Sequence, residues 1–258
     1  MVITIGNNKG GVGKTTLSTV FTYILSDLRK EKVLVIDTDQ QSNLSKLLEI
    51  TYGKKFDENK NIYQALFSSG SIKDYIQPVT STLDILVGSW DMANFENNVG
   101  KVYKEQSIPF ILRTKLDEVR NDYDYIIIDT SPTTGLSTQN AIIASDYVII
   151  ATQTVPLAFD STDRYFMFLT QISNQVFDGF ELLGIVPYLV GDSSTDRTYI
   201  QRYNSEFNVD CFSNMIKASD RVKSWSNNGI TSHLPYDKRT LKMYEDVLDE
   251  ALTRTVSM

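Results

Sequence analysis

From residue 7 to residue 16 the chain reads Asn-Asn-Lys-Gly-Gly-Val-Gly-Lys-Thr-Thr. These residue types at this spacing can hold phosphate. Gly10, Gly11 and Gly13 let backbone N–H groups turn inward around an anion, and a helix that follows directly aims the positive end of its dipole at the same place. Lys14 can reach the β and γ phosphates as a mobile point charge, and the Thr15 hydroxyl stands where it can ligate Mg²⁺. Val12 and Thr16 complete the loop. The ordinary phosphate-loop pattern has Gly at position 8; this chain has Asn8 there, and an additional lysine, Lys9, beside it. A ligand-free glycine-rich turn would not require a strand before it, a helix after it and the Lys-Thr pair to coincide.

Two other segments can bring carboxylates to the same place. Asp37 follows Val-Leu-Val-Ile, with Asp39 two residues on, and Asp129 follows Tyr-Ile-Ile-Ile. In open α/β sheets ligands bind outside the carboxyl ends of the strands, which is where both acids fall. Asp129 suits a carboxylate that holds Mg²⁺, usually through a water, while Asp37 would face the γ-phosphate and Asp39 would support that edge. Either acid taken alone would read as a turn or helix-cap residue.

The elements that must position these groups are legible as an alternation. Short β-branched runs at Val2–Gly6, Val33–Asp37, Leu83–Val87, Tyr125–Asp129, Tyr147–Ala151 and Leu182–Tyr188 are separated by segments of helical period. The helices are predicted over Thr15–Arg29, Ser42–Leu48, Ile108–Arg120, Ser137–Ser145, Ser161–Val176, Thr195–Phe207 and Leu241–Leu252. Most strand candidates are apolar on both faces, as a sheet covered on both sides requires. The expected fold is α/β, a mostly parallel sheet with helices on both faces, in one domain over residues 1–258. The polar stretch Thr51–Lys60 reads as a surface excursion.

Composition sets outer bounds. The 258 residues carry a net charge of −7, which excludes a uniformly basic protein that coats nucleic acid. Hydrophobic residues make up 41%, and glycine plus proline only nineteen positions, so a large core is expected. No apolar run approaches the roughly 18 residues that span a bilayer, and the start of the chain has no secretory pattern. The lone Cys211 excludes an internal disulfide and a CxxC site. A reducing cytoplasm is the expected compartment.

The run Lys-Gly-Gly-x-Gly-Lys-Thr-Thr from Lys9 resembles the deviant Walker A motif of the ParA/MinD family of P-loop ATPases. Residues 33–44 are similar to the family's second motif, with Gln40 and Ser42 where Pro and Gly are usual, and Tyr123–Pro132 is similar to its Walker B segment. Gln153 through Ala158 has the spacing of its Q-x-x-x-x-A loop. The resemblance implies a P-loop NTPase fold, ATP and Mg²⁺ as cofactors, and nucleotide binding by Lys9, Gly10, Gly11, Val12, Gly13, Lys14, Thr15 and Thr16. It implies Lys9, Lys14 and Asp37 as catalytic residues and Thr15, Asp129 and Asp39 at the metal. Lys9 would cross to the nucleotide of a second subunit in an ATP-dependent sandwich homodimer, in the manner of an arginine finger.

The C-terminal quarter bears on what such an ATPase acts upon. Between Lys217 and Lys242 six basic residues (Lys217, Arg221, Lys223, Lys238, Arg239 and Lys242) face two acidic ones, a local net of +4 against −11 for the rest. The resemblance gives this region non-specific DNA binding by the dimer, and a centromere-binding ParB-like adaptor as the partner that stimulates hydrolysis. A nucleoid-associated DNA-segregation ATPase is the leading expectation. With eight residues ahead of Lys9, no helix-turn-helix domain is expected before the loop. A ParA-like ATPase positioning a non-DNA cargo is the alternative. A MinD-like membrane cycle fits less well, because residues 241–258 carry a net −2 where anionic lipid favours a basic face. The related iron–sulfur proteins need cluster cysteines, and the related tyrosine kinases need a C-terminal tyrosine cluster; this chain has neither.

Overall fold

A computed structural model describes residues 1–257. Among them, β1 (Val2–Gly6), β2 (Val33–Asp37), β3 (Gln77–Pro78), β4 (Leu83–Leu86), β5 (Tyr125–Asp129), β6 (Tyr147–Thr152), β7 (Glu181–Val190) and β8 (Ile216–Lys217) lie in one sheet. Their order is β3-β4-β2-β5-β1-β6-β7-β8. Every pairing is parallel except that of β3 with β4. All six predicted strands form. The two that the sequence did not announce are two-residue edges, too short to show a period, and Pro78 fits an edge because it has no N–H for a ladder.

The helices are α1 (Lys14–Tyr23), α2 (Asn43–Tyr52), α3 (Ile62–Phe67), α4 (Phe95–Val99), α5 (Ile111–Leu116), α6 (Leu136–Ala144), α7 (Pro156–Gln175), α8 (Ser194–Glu206), α9 (Asp220–Asn228) and α10 (Pro235–Ser257). Two of them start earlier than predicted for one reason. α7 begins at Pro156, not Ser161, and α10 at Pro235, not Leu241. In both, a proline opens the helix at a position whose N–H would be unpaired anyway. The helix predicted over Ile108–Arg120 is broken: a 3₁₀ segment, Glu105–Phe110, contains Pro109 and leads into the shorter α5. α9 was not predicted, although Ser219 caps its start and Gly229, at φ 81, ends it.

Alternate strand residues supply two core faces. Ile3, Ile5, Val33, Val35, Ile85, Ile127 and Ile149 pack with α1, α2, α9 and α10. Val2, Leu34, Ile36, Leu86, Ile126 and Ile128 face the layer that includes α3, α5 and α6. A third cluster, with Phe159, Tyr165, Leu169 and Tyr203, joins α7 and α8 to the β6–β7 side. Burial on both faces explains why the strands read as continuous apolar runs.

One close approach joins this third cluster to the start of the phosphate loop. The Tyr165 ring of α7 lies against Gly6, where a Cβ would sit 2.1 Å from its hydroxyl oxygen. That hydroxyl is fully buried and has no hydrogen-bond partner. An unpaired buried hydroxyl costs about 1–3 kcal/mol. Tyr165→Phe is therefore expected to stabilise the fold by about 1 kcal/mol and to raise the melting temperature by about 2–4 °C. A lower melting temperature would show that the hydroxyl bonds an acceptor after all.

Candidate functional site

The phosphate loop joins β1 to α1 and turns on Gly11 (φ 76) and Gly13 (φ 96). Gly13 is doubly constrained, because a Cβ there would also lie 2.3 Å from the Tyr188 ring. Val12 is fully buried, so only its backbone can face a ligand. Above Gly10 and Gly11 a Cβ would meet nothing within 4 Å, which leaves their backbone open to an anion. Lys14 is buried, and its Nζ donates to the Lys9 carbonyl at 3.1 Å. Burial pulls the Lys14 ammonium pKa below its ordinary value, against the opposing charges of Asp129 and Asp39.

Strand register brings the two acids together. Asp37 of β2 pairs with Asp129 of β5, and Asp129 pairs with Ile5 of β1, one residue before the strand ends at Gly6. Adjacent strands lie about 4.8 Å apart, so these carboxyls end side by side at the root of the loop. Thr15 Oγ1 donates to Asp129 Oδ2 at 2.7 Å, and Ser18 Oγ donates to Asp129 Oδ1 at 2.9 Å. Asp37 Oδ2 accepts from Ser45 N at 3.0 Å and Ser45 Oγ at 2.7 Å, while its Oδ1 accepts from Asp39 N at 3.1 Å. Burial raises Asp37 to about 6. Burial, then the neighbouring charge of Asp37, raises Asp129 to about 7, and the bonds from Thr15 and Ser18 pull it back.

Among the described residues no cluster of three or more His, Cys, Asp or Glu forms a metal cage. Thr15 Oγ1 and the Asp129 carboxylate instead offer a pair of hard oxygens, suited to a Mg²⁺ ion that takes its other ligands from phosphate and water. Asp39 is buried, accepts from Gln41 N at 3.0 Å and lines a cavity together with Lys14 and Thr15, whereas the fully buried Asp37 and Asp129 lie beneath that lining. That cavity has a volume of about 1190 Å³. Its floor is Gly10, Gly11 and residues 13–16, and its walls include residues 38–41, 131–133, 188–189 and 218–220 with Val222 and Lys223. Lys9 is partly exposed, does not line its own chain's cavity, and has no carboxylate of the described residues within ion-pair distance.

The six C-terminal cations are not equivalent. The Arg221 guanidinium is bound to the fully buried Asp237, with Thr231 and Ser224 as further partners, so it is a structural cation. Lys242 pairs with Asp246 at 2.9 Å, and Lys223 with Asp220 at 3.3 Å. Lys217, Lys238 and Arg239 are exposed and have no ion-pair partner among the described residues. Lys217 and Arg239 line a groove of about 530 Å³ with Tyr236 and Met243, whereas Lys223 lines the large cavity.

Two supporting residues were not found from the sequence. Ser18 lies four residues after Lys14 on α1, a helical neighbour whose hydroxyl spacing was the available signal. Ser45 reaches Asp37 across eight residues, from the first turn of α2, with no local pattern to mark it. Gln153 Nε2 donates to the Gly11 carbonyl at 3.0 Å, so the loop after β6 touches the phosphate loop directly.

Residues 1–181 match the family described as AAA domain. The sporulation initiation inhibitor protein Soj of Bacillus subtilis is 36% identical over 153 residues, 59% of this chain and 58% of that protein, so the match spans less than two thirds of Soj. The virulence plasmid ParA family protein pGP5-D of Chlamydia muridarum is 32% identical over 214 residues, 81% of this chain and 76% of that protein. Among solved structures, a plasmid partition protein of Borrelia burgdorferi bound to AMPPNP superposes with a TM-score of 0.83 at 27% identity, covering 98% of both chains.

The raised carboxyls make stability depend on pH. A carboxyl with a higher pKa folded than unfolded holds its proton more tightly in the native state. Its stabilisation is complete below about pH 4, the unfolded value, and is lost as pH rises through about 6 and about 7 for Asp37 and Asp129. The nucleotide-free protein should lose on the order of 2–4 kcal/mol through this pair between pH 5 and pH 8. Asp129→Asn should flatten that slope in urea unfolding. Equal slopes in the two proteins would show that Asp129 is ionised throughout.

Proposed function

The chain belongs to the AAA domain family, among the ParA/Soj-type P-loop ATPases, and on that premise we propose a DNA-segregation ATPase that binds DNA as an ATP-dependent dimer. The observation that carries the reading is the pair of buried acids at adjacent strand ends, Asp37 and Asp129, beside Lys14 and Thr15. In the proposed reaction water attacks the γ-phosphorus of ATP, the bond to the β,γ-bridging oxygen breaks, and ADP, phosphate and a proton leave. Lys14 and the loop N–H groups hold the phosphates. Thr15 and Asp129 would hold Mg²⁺, which neutralises charge on the phosphates when bound. Asp37 orients the water, its own carboxyl fixed by Ser45. Asp39 keeps a negative wall beside Lys14.

Lys9 has the surroundings expected of a residue that serves a second subunit. It lies outside its own cavity and, among the described residues, has no carboxylate within ion-pair distance. The Lys9→Ala protein should therefore bind ATP as a monomer and fail to dimerise; a dimer on size-exclusion chromatography in Mg-ATP would sink this role.

DNA binding is assigned to Lys217, Lys238 and Arg239, the cations of the C-terminal segment without ion-pair partners, with Lys223 and Lys242 as weaker contributors. Pairing two copies doubles the contacts to a phosphate backbone. The proposed place of work is the nucleoid in the cytoplasm, with a ParB-like adaptor stimulating hydrolysis. No helix among the described residues is long and apolar enough to cross a membrane. A DNA mobility-shift assay with ATP, ADP and no nucleotide at several salt concentrations tests the reading. Binding is expected with ATP alone, lost at high salt, and abolished by the triple change Lys217→Glu, Lys238→Glu and Arg239→Glu. Absence of any shift at low salt in ATP would overturn it.

A further inference from the structure

The leading half of the phosphate loop has little packing of its own. Gly10 and Gly11 are exposed, and a Cβ on either would meet nothing within 4 Å. Polar contacts from one neighbouring segment, the end of β6 and the first two turns of α7, hold it instead. Gln153 Nε2 donates to the Gly11 carbonyl at 3.0 Å. The Ser161 hydroxyl, 4% exposed, donates to Asn8 Oδ1 and lies 3.3 Å from Asn7 Oδ1. Asn7 is fixed in turn, since its Nδ2 donates to the Ala151 carbonyl at 2.8 Å and lies 3.4 Å from Thr162 Oγ1.

These contacts converge on Lys9. Asn7 Oδ1 accepts the Lys9 N–H at 3.0 Å, and Lys14 Nζ donates to the Lys9 carbonyl at 3.1 Å. Both peptide groups of Lys9 are thereby held, one through α7 and one through the loop's own lysine. The direction in which a long, flexible side chain leaves the backbone decides where its ammonium can go, and a displacement of about 1 Å at a reacting centre costs up to about a hundredfold in rate. A glycine at position 8 would have no side chain for Ser161 to hold; Asn8 supplies one.

We propose that Ser161 is a positioning residue for Lys9: through Asn8 and Asn7 it fixes the leading half of the phosphate loop so that the Lys9 ammonium is presented in one direction. This rests on the reading of Lys9 as a residue that serves a second subunit, taken to the hydrolysis of that subunit's nucleotide. Ser161 does not line the cavity and acts through the two asparagines. Besides the Lys14–Lys9 bond, the trailing half of the loop, Gly13 to Thr16, has contacts of its own, with the Tyr188 ring beside Gly13 and Asp129 bonded to Thr15, so loss of the Ser161 contact is expected to act on turnover more than on nucleotide affinity.

The test compares wild type, Ser161→Ala, Asn8→Ala and their double variant, each also carrying Lys9→Ala. Single-turnover hydrolysis of Mg-ATP is measured beside the affinity for a fluorescent ATP analogue, with thermal melts to show that each variant is folded. Ser161→Ala is expected to lower the hydrolysis rate about five- to tenfold with affinity changed less than about twofold. Asn8→Ala should do the same, the double variant should lose no more than either, and the Lys9→Ala background should erase the effect. If Lys9→Ala is slow but Ser161→Ala hydrolyses at the wild-type rate, or slows both backgrounds equally, the positioning role of Ser161 falls alone. If Lys9→Ala itself hydrolyses at the wild-type rate, the role of Lys9 and this inference fall together.

Discussion

Two carboxyls and one ammonium are buried together at the carboxyl ends of three adjacent parallel strands, and their mutual placement sets the constraint for the whole nucleotide edge. Burial of Asp37, Asp129 and Lys14 would be prohibitive for isolated charges. It is tolerated because the groups answer one another: Lys14 lies in the field of Asp129 and Asp39, Asp129 accepts from Thr15 and Ser18, and Asp37 accepts from Ser45 and the Asp39 backbone. The register that pairs Asp37 with Asp129 is pinned by apolar residues on both faces of β2 and β5. A slip by one residue would separate the two acids and exchange the residues that fill the two core layers.

That arrangement gives a polar site whose charge balance changes when phosphate and Mg²⁺ arrive. Raised carboxyl values express the cost of holding two acids side by side in a dry environment. A divalent ion held by Asp129, as proposed, would reverse that logic locally by favouring the ionised carboxylate. The fold therefore keeps a buried acid pair with raised carboxyl values at the root of the phosphate loop, a pattern common to functional sites.

Positive charge at the C-terminal end is sorted in a similar way by partners. The segment from Lys217 to Lys242 carries six cations in sequence, but Arg221 belongs to the interior, where it, Trp225 and Thr231 satisfy the buried Asp237. Lys223 and Lys242 have carboxylates nearby, which leaves Lys217, Lys238 and Arg239. An overall charge of −7 is thus compatible with a small unpaired basic surface.

Strands, parallel topology and the phosphate loop were legible because each rests on local chemistry: β-branched runs, glycines at positive φ, and a Lys-Thr pair at the head of a helix. Helix starts at Pro156 and Pro235 were missed where proline acts as an opener, and α9 where capping signals framed a mostly polar segment. The sequence by itself determined the fold class, the loop and the two strand-end acids. Tertiary structure alone decided which groups meet: Ser45 with Asp37, Ser161 with Asn8, and Arg221 with Asp237 in place of solvent. Those meetings depend on how helices lie across the sheet. The physical reason is that a hydrogen bond spanning 8, 153 or 16 residues leaves no periodicity in the chain, so only packing can place its two ends together.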